Sequence, residues 1–356
     1  MRSVTVCILA SLLMASFAVT AVSGDKESWD LDGVEEIDID GVSGDIIIVR
    51  AEGKKGRVEL VSDVRPSDAF EAVVERRGDE LEIEEEWYGS SNGHVRWTIY
   101  LPKSGKTPSI RISNASGDLQ CEDVSVEIRY NTASGDVELS RVTLGEDSKF
   151  NTASGDYSVR DMTIGEDTKF NTASGDVELE DLVIEEDAGF NTASGDIVIT
   201  NCKIGDDASF NSASGNVEAD NVELMGEADF SSASGDVELR FDRLPKHDLT
   251  ASSASGDVTL RVDDFGKNFT LVMIKRKDRG RISCPFDYTD EEEFRRNRQE
   301  YVSKIVKRGT GKPVITLRTA SGKVTVKELD STAAESPTSG RARRESLALL
   351  DSRSRL

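Results

Sequence analysis

The sequence predicts an all-β chain, a single-stranded parallel β-solenoid (β-helix) built from coils of about 20 residues. Three observations predict it. First, one phrase returns along the chain: Phe150-Asn151-Thr152-Ala153-Ser154-Gly155-Asp156 is repeated from Phe170 and Phe190, and in altered form from Phe210 and Phe230. Its Ser falls at 116, 134, 154, 174, 194, 214, 234 and 255, in steps of 18, 20, 20, 20, 20, 20 and 21 residues. A fixed beat of this length is the mark of one supersecondary unit stacked on itself. Second, apolar and polar residues alternate inside runs of three or four residues, as in Val137-Glu138-Leu139 and Val142-Thr143-Leu144, which is the period of half-buried strands. Third, aromatics are only 6% and hydrophobics 37% of the 356 residues, which suits a thin core of small side chains repeated along an axis.

Residues 1–23 read as a signal peptide. Arg2 is followed by a mostly apolar Val4–Val19, and Ala21-Val22-Ser23 supplies the small residues of a cut before Gly24. The apolar run is short for a membrane span. Contact with a membrane is therefore expected only if this segment stays uncleaved. Cys7 lies too early, and without the flanking residues, for a lipid attachment site. The expected location is secreted, periplasmic or cell envelope.

Residues 24–112 share the vocabulary but not the beat, and read as an N-terminal β cap with the first strands. Val42-Ser43-Gly44-Asp45-Ile46 turns between two strands. Further strands are expected at 58–62, 72–75, 81–85 and 95–101, with a short helical turn at 67–70. An open solenoid end needs such a cover. Arg77-Gly78-Asp79, a tripeptide that integrins read, falls where a hairpin turn is expected and is read as that turn.

Residues 113–261 form the regular solenoid, in which each position becomes a ladder. Tyr130, Phe150, Phe170, Phe190, Phe210 and Phe230 are expected to stack inside, and Asn131, Asn151, Asn171, Asn191 and Asn211 to form an amide ladder. Gly in Ala-Ser-Gly-Asp is expected to supply a positive φ at the corner. Asp118, Asp136, Asp156, Asp176, Asp196, Asp236 and Asp257 form an outward acidic column that Asn216 interrupts. Glu146/Asp147, Glu166/Asp167, Glu186/Asp187 and Asp206/Asp207 form a second column.

Residues 262–329 lose the beat. Strands are expected at 269–274 and 281–284. A helix is expected over 289–306, with acids at its start, Lys304, Lys307 and Arg308 near its end, and Phe294, Tyr301 and Ile305 as its buried stripe. The phrase returns at Thr319-Ala320-Ser321-Gly322 as a last coil. Residues 330–356 are rich in Ser, Ala, Thr and Arg and read as a disordered tail.

Charge and cysteines narrow the function. The net charge is −23, and residues 113–261 hold 32 Asp and Glu against 10 Lys and Arg. That field repels nucleic acid and anionic membranes and favours cationic partners. Without residues 1–23 three cysteines remain, Cys121, Cys202 and Cys284, an odd number that does not make a closed disulfide framework. Cys121 and Cys202 read as small core hydrophobes four coils apart.

No catalytic motif is present. His94 and His247 are the two histidines, both in turn contexts. A β-helix polysaccharide lyase or hydrolase places its acids where loops break the repeat, whereas here the carboxylates recur in every coil. Stacked carboxylates repel one another by about 1 kcal/mol in water, so solvation, backbone N–H groups or a cation must offset them. Asp136, Asp156, Asp176 and Asp196 are the candidate metal ligands, with calcium as the cation that such oxygens could bridge. No other cofactor is expected.

Taken in order, Val42-Ser43-Gly44-Asp45-Ile46, Leu101-Pro102-Lys103, the Ala-Ser-Gly-Asp coils and the closing Pro313–Gly322 run resemble the bacterial putative-adhesin domain family of β-solenoid proteins. The resemblance covers about residues 30–328. It implies a noncatalytic cell-envelope role and brings no site residues with it. The partner is read from the residues instead: a repetitive face of Asp, Asn, Thr and Ser suits a repetitive ligand, with glycans or cell-surface proteins as the candidates.

Overall fold

The computed structural model describes residues 25–103 and 106–329. The expected signal peptide, 1–23, and the expected disordered tail, 330–356, lie outside the described residues. Among those described, every regular element is a strand except one 3-10 turn, Ser67–Ala69.

Each regular coil is a triangle. One coil is Tyr157–Arg160, Thr163–Ile164 and Lys169–Thr172, and the next repeats it at Val177–Glu180, Val183–Ile184 and Gly189–Thr192. Corresponding strands pair in parallel, residue i with i+20: Tyr157 with Val177, Thr163 with Val183, Phe150 with Phe170. The described strands form three sheets, of 14, 6 and 15 strands, which are the faces of the prism. Main-chain hydrogen bonds therefore run along the stack, and each coil rests on its two neighbours.

Alternation decides which side chains point inward. Val177, Leu179, Leu182, Ile184 and Phe190 are all buried. Phe150, Phe170, Phe190, Phe210 and Phe230 stack with centroids 4.7, 5.2, 5.1 and 4.9 Å apart and planes within 11°. Burial stabilises by about 2–3 kcal/mol per ring, and offset stacking adds about 0.5–1.5 kcal/mol per pair. Tyr130 is in register below Phe150, and its hydroxyl donates to the Gly117 carbonyl at 2.8 Å.

Two of the three corners turn through left-handed Asp and Asn. Asp161, Asp181, Asn201 and Asn221 have φ of 54 to 57°, and Asp147, Asp167, Asp187 and Asp207 have 54 to 60°. Short polar side chains tolerate this region better than other non-glycine residues. The third corner is Ser-Gly-Asp, and its glycines from Gly135 to Gly256 are not left-handed, so the expected reason for glycine is replaced by another. A Cβ on Gly175 would lie 2.5 Å from the Gly155 carbonyl carbon and closer still to its oxygen, and Gly195 meets Gly175 in the same way. Glycine is required because the backbones of successive corners touch.

The ends are threaded. The coil made of Glu36–Asp40 and Asp45–Arg50 sits directly on the coil of Ser109–Asn114 and Leu119–Glu122. The intervening strands Glu80–Trp87 and Val95–Leu101 stack outside it. Antiparallel strands Phe70–Arg77, Arg57–Ser62 and Asp25–Asp30 then close this end. Gly78, with φ of 71°, makes the tight turn after Arg77.

The other end repeats the device. Val314–Thr319 and Lys323–Glu328, last in sequence, stack on Leu249–Ser253 and Val258–Asp264. Phe269–Arg276 and Arg281–Ser283 lie outside them. At each end the coil that carries Ser-Gly takes the inner place.

The helix expected over 289–306 is not formed. Asp290–Arg296 and Gln299–Arg308 are instead an antiparallel hairpin, turned by Asn297 and Arg298 with φ of 50 and 63°. Gln299–Arg308 pairs along the whole of Phe269–Arg276, so the sheet edge outweighs the helical pattern of charge. Phe294 and Tyr301, expected on one helix stripe, are cross-strand partners with stacked rings 5.6 Å apart.

Candidate functional site

The Ser-Gly-Asp corner is the most repeated piece of chemistry in the chain. One Asp oxygen accepts the backbone N–H of the equivalent residue in the next coil: Asp136 from Asp156 at 2.9 Å, Asp156 from Asp176 at 2.8 Å, Asp176 from Asp196 at 2.8 Å. The same bond runs from Asp45 up to Lys323, whose N–H donates to Asp257. Asn216 does not interrupt the column: its Oδ1 accepts from Asp236 at 2.9 Å, and its own N–H donates to Asp196. The sequence offered three ways to offset the repulsion, and backbone N–H groups are present at every step. Burial is the largest cause that pushes the Asp156 carboxyl above the ordinary carboxylate range; the Asp176 N–H opposes it and Asp136 and Asp176 add to it. At the terminal step Lys323 Nζ lies 3.6 Å from Asp257.

Asp136, Asp156, Asp176 and Asp196 thus stand in one column, each with one oxygen in this ladder. No group of three or more His, Cys, Asp and Glu gathers closely enough among the described residues to hold a metal ion. The second acidic column behaves differently. Glu166 is fully exposed, and its carboxyl is raised chiefly by Glu186 and Glu146 above and below it.

A buried hydroxyl completes the corner, and the sequence reading passed over it. Thr172 Oγ1 donates to the Gly155 carbonyl at 3.0 Å and accepts the Gly175 N–H at 2.9 Å. Thr192, Ser212, Ser232, Ser253 and Thr319 do the same. The signal was in the phrase, whose third position is always Thr or Ser from 132 onward.

The 15-strand face carries the polar rail. Asn151, Asn171, Asn191 and Asn211 each donate Nδ2 to the Oδ1 one coil below, at 2.9 to 3.0 Å, and Ser231 continues the column by donating to Asn211. Along the same column the strand register places Ser252 and then Arg318. A trough of about 660 Å³ runs here over Asn191, Asn211, Ser231 and Ser252, with Ala213, Ala233, Ala254 and Ala320 beside them. Tyr301 and Arg318 line its end, the guanidinium 5.6 Å from the ring centre. Each ladder amide keeps a second N–H and a second lone pair for a ligand. The small alanines leave room above the rail, and the aromatic pair and the guanidinium stop it at one end.

The remaining candidates fall elsewhere. His94 and His247 are exposed and lie apart from the corner and the rail. Cys121 and Cys202 are buried free thiols, whose acidity burial suppresses, Cys202 up to about 11; Cys284 is half-buried and free. Arg77-Gly78-Asp79 is an exposed hairpin turn. No helix among the described residues is long and apolar enough to cross a membrane.

Solved structures similar to the chain include a "putative adhesin" from Parabacteroides merdae ATCC 43184, at 10% identity over 85% of this chain and 96% of that one, TM-score 0.39. A "putative lipid binding protein" from Parabacteroides distasonis ATCC 8503 is 13% identical over 86% and 98%, TM-score 0.39. A "putative adhesin" from Bacteroides fragilis NCTC 9343 is 14% identical over 86% and 96%, TM-score 0.31. No curated protein matches the sequence. The family model of Toastrack DUF4097 matches residues 34–283, from the inner N-terminal coil to the strand Arg281–Ser283. The chain belongs to the Toastrack DUF4097 family.

Proposed function

We propose that this β-solenoid of adhesin type is a noncatalytic binding surface that holds a repetitive glycan along its Asn–Ser face, outside the cell or in its envelope. The observation that carries the reading is the trough over Asn191, Asn211, Ser231 and Ser252, closed by Tyr301 and Arg318. A polymer laid along the stack meets the same amide at successive coils, about 4.8 Å apart, so many weak hydrogen bonds add up without a deep pocket. The exposed Phe294, backed by the buried Tyr301, offers a stacking surface for a sugar ring at the end of the rail. Export through residues 1–23 accords with a ligand outside the cell, and the acidic coils favour neutral or cationic partners over nucleic acid.

The test is a glycan-array and cell-surface binding assay on the chain. Asn191→Ser with Asn211→Ser replaces the amides by the Ser-over-Ser register already present at Ser231 and Ser252, and is expected to weaken binding several-fold with the fold retained; Arg318→Met is expected to do the same. Binding that survives both variants would remove the rail from the argument. Release of reducing sugars from any bound polysaccharide would favour the lyase or hydrolase reading instead. The cation reading rests on the mutual repulsion of Glu146, Glu166 and Glu186. It requires a rise in melting temperature at millimolar calcium beyond that given by sodium at equal ionic strength.

A further inference from the structure

We propose that the strand Asp290–Arg296 is a homodimer interface, at which two copies of this chain pair edge to edge about Phe294. The strand is the outermost of the 15-strand sheet, and all seven of its residues are exposed. Exposed edges present a row of unpaired backbone donors and acceptors, and proteins usually shorten, bend or cover them. At this end of the stack the other face stops in the three-residue strand Arg281–Ser283. The seven-residue edge has neither a bulge nor a proline.

Its sequence is complementary to itself when reversed. Asp290-Glu291-Glu292-Glu293 precedes Phe294, and Arg295-Arg296 follows it. Antiparallel pairing about Phe294 sets Glu292 opposite Arg296 of the second copy and Glu293 opposite Arg295, with the two Phe294 rings across from each other. The two-fold axis repeats each of these pairs, and no like charges face each other. Opposite charges and aromatic pairs directly across an antiparallel ladder are each favourable. Glu292, Arg295 and Arg296 form no ion pair among the described residues, so their charge is available to a partner; Glu293 is shared with Lys277, which leaves Glu292 with Arg296 as the main charge pair. The rival edge at the far end, Phe70–Arg77, is less suited. Arg77 is already held by Glu75 and Glu82, and Arg76 donates to the Asp32 carbonyl.

The geometry has a consequence for binding. A two-fold axis perpendicular to a sheet keeps the same side of both sheets facing the same way. Phe294 stacks on Tyr301, so its side of the hairpin is the side of the Asn–Ser rail. The dimer would present two rails on one continuous surface, and a polymer that reached both would gain avidity from the second. The dimer itself does not depend on what the rail binds.

Sedimentation of the full chain over a range of micromolar concentrations, at low and high salt, tests the proposal. Dimers that dissociate with added salt are expected. Glu292→Arg and Arg296→Glu, each tested alone, are expected to be monomeric at concentrations where the native chain is mostly dimeric, and an equimolar mixture of the two is expected to regain dimers. Phe294→Cys in a Cys284→Ser background is expected to form an intermolecular disulfide under mild oxidation, because the two positions face each other. A native chain that stays monomeric and a Phe294→Cys variant that fails to cross-link would together overturn it. So would dimers indifferent to both charge changes. Open-ended polymers would also overturn it, since they mean head-to-tail pairing with Phe70–Arg77.

Discussion

Gly175→Ala offers the sharpest test of how the coils are held together. The added methyl would sit 2.5 Å from the Gly155 carbonyl carbon. Carbon atoms rest about 3.5–4.0 Å apart, so the two corners must separate by roughly 1 Å. The bonds at risk are Thr172 Oγ1 to the Gly155 carbonyl, at 3.0 Å, and the Asp176 N–H to Asp156, at 2.8 Å. Loss of both removes about 1–3 kcal/mol, and the strain of overpacking adds about 1–3 kcal/mol, so the expected cost is about 2–6 kcal/mol.

Gly189→Ala is the control. It lies in the strand Gly189–Thr192 of the same stack, and the nearest atom to its added methyl is Asn191 Nδ2 at 3.6 Å. Relief of unfolded-chain entropy makes that change neutral or stabilising by up to about 1 kcal/mol. Urea denaturation followed by circular dichroism measures both. Because coils contact only their neighbours, the damaged middle of the stack is also expected to split the transition of Gly175→Ala into two. A Gly175→Ala protein as stable as Gly189→Ala would refute backbone contact as the reason for glycine.

Three further outcomes follow from the corner. Thr192→Val strands the Gly195 N–H and the Gly175 carbonyl and should cost about 2–4 kcal/mol, whereas Thr192→Ser should be nearly neutral because Ser212 and Ser232 already serve there; thermal melts compare the two. Asp176→Asn should keep the ladder, as Asn216 does, while Asp176→Ala should lose the bond from Asp196 and about 1–2 kcal/mol; equal stabilities would deny the ladder its role. Asp118, Asp156 and Asp229 are raised chiefly by burial, and Glu166 chiefly by its neighbours, so the folded chain holds these protons more tightly than the unfolded one. Their contribution is fully present below the unfolded values, near 3.8 for Asp and 4.5 for Glu, and is lost as pH rises through the higher folded values. Melting temperature should therefore rise as pH falls from neutral through the folded values towards the unfolded ones near 4, less so in Asp156→Asn; a steady fall down to about pH 4 would contradict it.

Much of the architecture was legible because one period governs it. The spacing of Ser134, Ser154, Ser174 and Ser194 implies stacking, and alternation around Phe150 and Phe170 shows which side chains fill the interior. The Asn ladder followed from the same spacing. The hairpin at Asp290–Arg296 was not legible, since a run of acids followed by arginines and a Phe–Tyr pair suits a helix as well as a strand. The rail's end was hidden for the same reason: Tyr301 and Arg318 are far from Asn191 in sequence, and strand pairing alone brings them to one trough.

The sequence by itself determined the coil, its period and the residues inside it, because these depend on contacts between equivalent positions one period apart. Only the tertiary structure decided the order of coils at the two ends, the true reason for the corner glycines and the fate of the 290–308 segment. Each of those depends on which backbone lies next to which, a matter of long-range fit. The repeat fixes that neighbour in the middle of the chain and leaves it open at both ends.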